Sequence, residues 1–327
     1  MVNYSIEECQ GSTFITLSND ANLRLTLCTK GASVYSLSYY NQPMILTISS
    51  KEKFLNSNQY FGKTLGQLAG RITKEQTING KKVVLENNDG ELVLHGGANN
   101  ISYEDFSYKI KENNKNIIVI FSFVTRKNQC GFPGKTNFHV TYEISKNSDI
   151  ISVKFKAIPS EDTLINMSNH MYFNFGATDV TNYKIKVEAS NILKCDSHLL
   201  PVATEKIYHA LDFRKLTKLS ARLHEIENYL PAKTIDHTFL FDEIKKQKRQ
   251  VILSNGNCKL CISTTDEACN IYLDNSGTDV QFINSPDLKL RRGLAIEPQR
   301  NILSRDRILI KSHDKYEDKI TYKFYKI

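Results

Sequence analysis

The chain has 327 residues, 40% of them hydrophobic, which is enough to bury a large core and too apolar for a disordered tail. Its formal charge of +8 comes from lysines spread as solvent-face residues, such as Lys109, Lys111 and Lys115; no Arg-rich run is interleaved with aromatics, so nucleic acid is not an expected partner. No apolar run reaches the roughly 18 residues of a membrane span. The first ten residues have neither a basic start nor an apolar stretch, so neither a membrane partner nor a signal peptide is expected. Seven scattered cysteines, an odd number, suit free thiols in a reducing, cytoplasmic setting better than a disulfide framework.

In chain order the elements read as strands. Residues 14–18 and 23–27 alternate apolar and polar, and 117–124 form a long β-branched run. Residues 151–157 and 320–324 alternate as well. Asn79-Gly80 lies between two short strand patterns and predicts a hairpin of the type I′ kind; Asn255-Gly256 predicts another, and Asp89-Gly90 a third turn. Leu216, Leu219, Leu223, Ile226 and Leu230 follow a three-and-four spacing that predicts a helix. No linker, composition break or internal repeat divides residues 1–327. The expected architecture is one mainly β domain, an antiparallel sandwich or closed barrel with functional loops.

Two segments carry the strongest chemical signal. Residues 166–174, Asn-Met-Ser-Asn-His-Met-Tyr-Phe-Asn, set His170 among amides, a hydroxyl and two aromatics, with no obvious core face. Gly293-Leu-Ala-Ile-Glu297-Pro-Gln299 sets a lone carboxylate after an apolar run and before a proline. A histidine and a glutamate so placed suit proton transfer on one small molecule, and the polar neighbours suggest a ligand rich in hydroxyl groups. Other candidates are weaker singly. His95 ends a strand before Gly96-Gly97, where a structural histidine is the plainer reading. Arg71 stands among small residues and has a fork suited to two sugar oxygens, although taken alone a surface ion pair is the plainer reading. Asp236-His237 precedes an apolar stretch, and a turn aspartate is the plainer reading. Cys258 and Cys261 fall on a strand and point to opposite faces, without a second Cys/His pair, so no metal site is expected. No Gly-rich phosphate loop or Gly-x-Ser-x-Gly elbow is present, so neither a nucleotide cofactor nor a serine hydrolase is supported.

Together, in this order, these segments resemble the aldose 1-epimerase (galactose mutarotase) family. The resemblance runs from Lys30-Gly31-Ala32 through Tyr60-Phe-Gly62, Ala69-Gly70-Arg71-Ile72, Leu94-His95-Gly96-Gly97 and Gly131-Phe-Pro133-Gly134. It continues through Asn166–Asn174, Leu211-Asp-Phe-Arg214, Asp236-His237 and Leu294–Gln299. It implies a large antiparallel β-sandwich, or supersandwich, that interconverts the α and β anomers of a free aldose of the galactose or glucose type. It also implies that no metal or organic cofactor takes part. By resemblance Glu297 is the catalytic base and His170 the catalytic acid, while Arg71, His95, Tyr172 and Asp236 hold the sugar. The chain departs from the family pattern at four places. Gly70 replaces a frequent asparagine, Gln67 a common arginine and Asn270 a frequent glutamine, and Arg-Asn-Ile-Leu-Ser follows Gln299. These departures leave the preferred aldose open. Two alternatives remain: a hexose-6-phosphate epimerase, for which Lys63, Arg71, Arg291 and Arg292 are the phosphate candidates, and a sugar-binding protein of the same fold without turnover.

Overall fold

Alternation along the strands divides the chain into faces, and the computed structural model shows what each face meets. It describes residues 3–20, 22–230, 232–242, 250–283 and 290–327. Among these, a nine-stranded antiparallel sheet runs in the order Ser107–Glu112, Asn116–Val124, Thr136–Ser145, Ile150–Pro159, Tyr316–Lys326, Cys258–Thr264, Val251–Ser254, Lys184–Val187 and Thr217–Lys218. A six-stranded antiparallel sheet runs Tyr172–Phe173, Leu294–Gln299, Ala268–Leu273, Asp236–Phe241, Ala189–Cys195 and Pro201–Lys206. Val119, Phe121, Phe138, Val140, Phe155 and Tyr322 of the larger sheet share one buried core with Phe173, Ile271, Leu294 and Ile296 of the smaller. The expected large antiparallel sandwich is therefore what forms. Each fully buried Val, Leu, Ile or Phe contributes about 1.5–3 kcal/mol, so this face-to-face core is the main stabilising term. A five-stranded sheet of residues 3–43 adds Ile15, Leu17, Leu25 and Leu27 to the same core.

The strand readings at 14–18, 23–27, 117–124, 151–157 and 320–324 all fall inside strands. The Asn79-Gly80 hairpin forms between Glu75–Ile78 and Lys81–Val84, with φ of +48° and +76° at the turn, as a type I′ turn requires. The second hairpin differs from expectation. Three residues, 255–257, join Val251–Ser254 to Cys258–Thr264, and of Asn255 and Gly256 only the glycine adopts positive φ. The Asn255 side chain makes this loop, accepting from the amides of Asn257 and Cys258. The helix expected over 216–230 is also shorter. It is α-helical only at Leu223–Tyr229, preceded by the strand Thr217–Lys218 and a 3-10 turn at Leu219–Ala221. Leu219, Ile226 and Leu230 reach the core and Leu223 packs against it, but Leu216 is exposed, because the chain before Leu219 is strand and not helix.

The smaller sheet positions the site. On Leu294–Gln299, Leu294 and Ile296 face the core, which turns Glu297 and Gln299 to the other side. Register then sets two rows across neighbouring strands. Thr238 lies opposite Asn270, and Asn270 opposite Glu297; Asp236 lies opposite Tyr272, Tyr272 opposite Ala295, and Ala295 opposite Tyr172.

Candidate active site

His170 sits between two short strands, Ser168–Asn169 and Tyr172–Phe173, and its own backbone is held from both directions. Its N–H donates to Lys63 O and its carbonyl accepts from Gly62 N–H, both at 2.9 Å. Gly62, at φ +71°, has no space for a side chain, because a Cβ there would lie 1.9 Å from Val34 O. The amides and hydroxyl around His170 do not face a ligand, contrary to the sequence reading. Asn166 donates to Arg300 O, Ser168 to Pro298 O, Asn169 to Gly62 O and the Tyr142 hydroxyl, and Asn174 to Ala177 O. Each is buried and braces the backbone that carries the imidazole. The segment also has a core face after all: Met167, Met171 and Phe173 belong to the main core.

His170 Nε2 lies 3.3 Å from Glu297 Oε1 at the base of a cleft of about 360 Å³. Both carboxylate oxygens of Glu297 and the Nδ1 of His170 lack hydrogen-bond partners within the protein. Burial, then the charge of Asp236, raises the Glu297 carboxyl to about 8, against the smaller pulls of the Asn270 amide and Arg71. Burial also depresses the His170 imidazole to about 3. Between these values the proton sits on the carboxyl, and the imidazole 3.3 Å away is neutral.

His95 stands across from this pair. Its strand ends at Leu94, and His95, Gly96 and Gly97 all adopt positive φ, at +52°, +94° and +93°. A Cβ on Gly96 would lie 2.6 Å from Gly66 O, so only glycine lets the backbone pass there. The His95 ring meets the His170 ring edge to face, with centroids 5.4 Å apart. Gly70 N–H donates to His95 Nδ1 at 3.2 Å, which leaves the proton of the neutral ring on Nε2. Burial first, then the charges of His170 and Arg71, hold this imidazole well below its usual range, so it is a neutral donor toward the cleft.

His95, His170 and Glu297 bring their donor atoms within 4.8 Å of one another, a spacing that a metal ion would accept. The tautomer argues against such an ion. Ligation through His95 Nε2 would move the proton to Nδ1, directly against the Gly70 N–H. Cys258 and Cys261 are buried free thiols.

Arg71 and Asp236 form the polar wall. Arg71 Nε donates to Asp89 Oδ2 at 2.7 Å, and its Nη1 lies 3.3 Å from Asp236 Oδ2. Asn270 Nδ2 donates to Asp236 Oδ1 at 3.3 Å and is itself held by the Thr238 hydroxyl at 3.2 Å. His237, next in sequence to Asp236, points to the other side of its strand and is buried, so the two are not an acid–base pair. Tyr172 lies against the His170 ring at 4.8 Å, and burial keeps its phenol protonated. All six residues singled out in the sequence line this one cleft. Sequence reasoning gave no role to Tyr60, whose ring stacks on His170 at 6.0 Å, or to Tyr272, Thr238 and Asp89. Asp89 was legible only as a turn residue, and nothing local marks it as the anchor of Arg71.

The cations of the phosphate alternative do not converge. Lys63 is buried outside the cleft, donating to Ser57 O and lying over the Tyr103 ring. Arg291 pairs with Glu227, and Arg292 is buried on Asp274.

Fold and cleft together define a large antiparallel β-sandwich protein with a polar, histidine- and carboxylate-lined site on its smaller sheet. The chain matches the aldose 1-epimerase family over residues 13–323, and it belongs to that family. It is 26% identical over 266 residues to galactose mutarotase of Sus scrofa, covering 77% of this chain and 75% of the relative. It is 27% identical over 274 residues to aldose 1-epimerase of Escherichia coli K12, covering 80% and 78%. Its fold superposes on galactose 1-epimerase from Lactobacillus acidophilus with a TM-score of 0.89 at 22% identity, covering 100% of this chain and 99% of the other.

Proposed function

We propose that the protein interconverts the α and β anomers of a free aldose, with Glu297 as base and His170 as acid. The observation that carries this reading is the 3.3 Å approach of His170 Nε2 to Glu297 Oε1 inside a cleft that also holds His95, Arg71 and Asp236. The two reacting oxygens of a pyranose, O1 and O5, share one carbon, so the groups that serve them must stand side by side.

The steps follow from proton positions. A sugar hydroxyl donating to the unpaired Glu297 oxygens favours the ionised carboxylate, which passes the pair's proton to His170. Glu297 then takes the O1 proton, C1–O1 becomes a carbonyl, the C1–O5 bond breaks and His170 protonates O5. The neutral Nε2–H of His95 supports the charge that develops on oxygen. Rotation about C1–C2 turns the other carbonyl face to O5. His170 takes back the O5 proton as the ring closes, and Glu297 returns its proton to O1. The pair ends as it began, so no cofactor is consumed. Arg71 and Asp236 hold ring hydroxyls, and Tyr172 and Tyr60 give the sugar's apolar face a surface.

Polarimetry of freshly dissolved α-glucose and α-galactose, with and without the protein, tests the reading. Acceleration over the buffer rate that disappears in Glu297→Gln is the expected result. A parent protein that binds these sugars but never exceeds the buffer rate would make the non-catalytic binder the better account.

A further inference from the structure

Beyond the reacting pair, one end of the cleft has features that ring opening does not use. Gln299 is buried and lines the cleft, and its Oε1 has no hydrogen-bond partner within the protein. Facing it are Gly70 and Ile302, which also line the cleft. A Cβ on Gly70 would lie 3.1 Å from Ile302 Cδ1 and 3.8 Å from Gln299 Nε2. The backbone there has φ +90°, which side chains rarely adopt. This end of the cleft is therefore bounded by bare backbone, an apolar methyl and an unsatisfied amide. A buried unpaired acceptor costs about 1–3 kcal/mol, so a ligand group that donates to it gains correspondingly.

Register sets where this end lies relative to the reacting pair. Tyr172 pairs with Ala295, which puts His170 beside Glu297, and Ser168 bonds to Pro298 O further along. Gln299 lies on the same face as Glu297 and beyond it, about 6.6 Å further at ordinary strand rise, away from Tyr172. With O5 at His170 and O1 at Glu297, the remaining ring neighbour of C1 is C2. A sugar seated with C2 on the Gln299 side of the reacting pair brings its C2 substituent to Gln299, Gly70 and Ile302.

We propose that this end of the cleft is a subsite for a 2-acetamido group, and that 2-acetamido-2-deoxyaldoses are substrates. The inference rests on the epimerase reading. An acetamido group carries one donor and one acceptor in a plane and pairs with the edge of the Gln299 amide. Its methyl packs on Ile302, and its plane passes over Gly70, where a side chain would block it. A 2-hydroxyl donates to Gln299 as well but leaves the Ile302 wall uncovered.

The test compares N-acetylglucosamine and N-acetylgalactosamine with glucose and galactose. Anomer exchange is read by NMR, and contact with the acetyl methyl by saturation transfer from the protein. The expected parent kcat/KM for at least one acetamido sugar is within tenfold of its parent hexose, with strong transfer to the acetyl methyl. Ile302→Phe, which fills the subsite, and Gln299→Leu, which removes the amide, should each lower kcat/KM for the acetamido sugar about tenfold more than for the hexose. Acceleration of hexoses with neither turnover of acetamido sugars nor transfer to their methyl overturns the subsite and leaves the epimerase reading intact. Equal losses for both sugar types in both variants, with unchanged circular dichroism, also overturn it. Transfer to the methyl without turnover of any sugar removes the epimerase reading and with it the proposed substrates.

Discussion

At the scale of the residue, Glu297 is a costly group held in place. Its carboxyl titrates near 8 in the folded protein, against an ordinary value of about 4.5, because burial opposes the charge. A raised folded-state pKa means that stability is fully present below about pH 4.5 and is lost as pH rises through about 8. Glu297→Gln removes the ionisable group, so its melting temperature should exceed the parent's, by several degrees at pH 8 and by less at pH 5, as scanning calorimetry would show. The same substitution should cut anomer interconversion by on the order of 10²–10⁴-fold, as should His170→Asn, with sugar binding changed far less. Arg71→Ala and Asp236→Ala should instead raise KM as well, since they hold the sugar. A Glu297→Gln variant that is both stabilised and fully active would remove the carboxylate from the mechanism.

The pH dependence follows from the same pair. Its one-proton form spans the interval between the His170 value near 3 and the Glu297 value near 8. The ratio kcat/KM should therefore be flat through neutrality and fall as pH rises through about 8, where the pair loses its shared proton. Stopped polarimetry across pH 5–10 measures this. A rate that keeps climbing above pH 9 would mean that the unprotonated pair is the working form.

At the scale of the element, the site depends on how His170 is seated. Asn169 ties its segment to Gly62 O and the Tyr142 hydroxyl, and its Oδ1 accepts from Met171 N–H, so it brackets the imidazole on both sides. Asn169→Ala leaves the buried Met171 N–H without its acceptor and takes one of two partners from Gly62 O and from the Tyr142 hydroxyl. It should cost about 1–3 kcal/mol in urea unfolding and lower kcat more than KM, although Asn169 does not line the cleft. Unchanged kcat together with reduced stability would make the brace purely structural. This role was not legible in the sequence. A cluster of amides around a histidine has the same composition whether the amides meet a sugar or a backbone, and only tertiary partners distinguish the two. The Leu216–Leu230 spacing is similar: it found the buried Leu219, Ile226 and Leu230 but also took in the exposed Leu216, because spacing alone does not settle whether a short apolar segment is helix, 3-10 turn or strand. The alternating strands and the Asn79-Gly80 turn were legible because their signals are local. Arg71, His95, Asp236 and Glu297 became legible as a set only through the family resemblance, since they lie far apart in the chain and meet through sheet register.

At the scale of the whole molecule, the seven cysteines separate the packed interior from its openings. All seven are free; Cys28, Cys130, Cys258, Cys261 and Cys269 are buried, and Cys9 and Cys195 are partly exposed. Cys195 also lines the sugar cleft, and burial raises its thiol to about 11, so it holds little thiolate at neutral pH. Native protein should therefore react with a thiol reagent at Cys9 and slowly at Cys195, and an aldose that fills the cleft should slow Cys195 further. In denaturant all seven should react, and chelators should change neither the count nor the activity, because no cysteine is needed as a metal ligand. Mass spectrometry of alkylated peptides distinguishes the sites. Fast native labelling of Cys258 or Cys261 would show that the nine-stranded sheet opens at that strand, and zinc released in proportion to the protein would return this pair to the role of metal ligands.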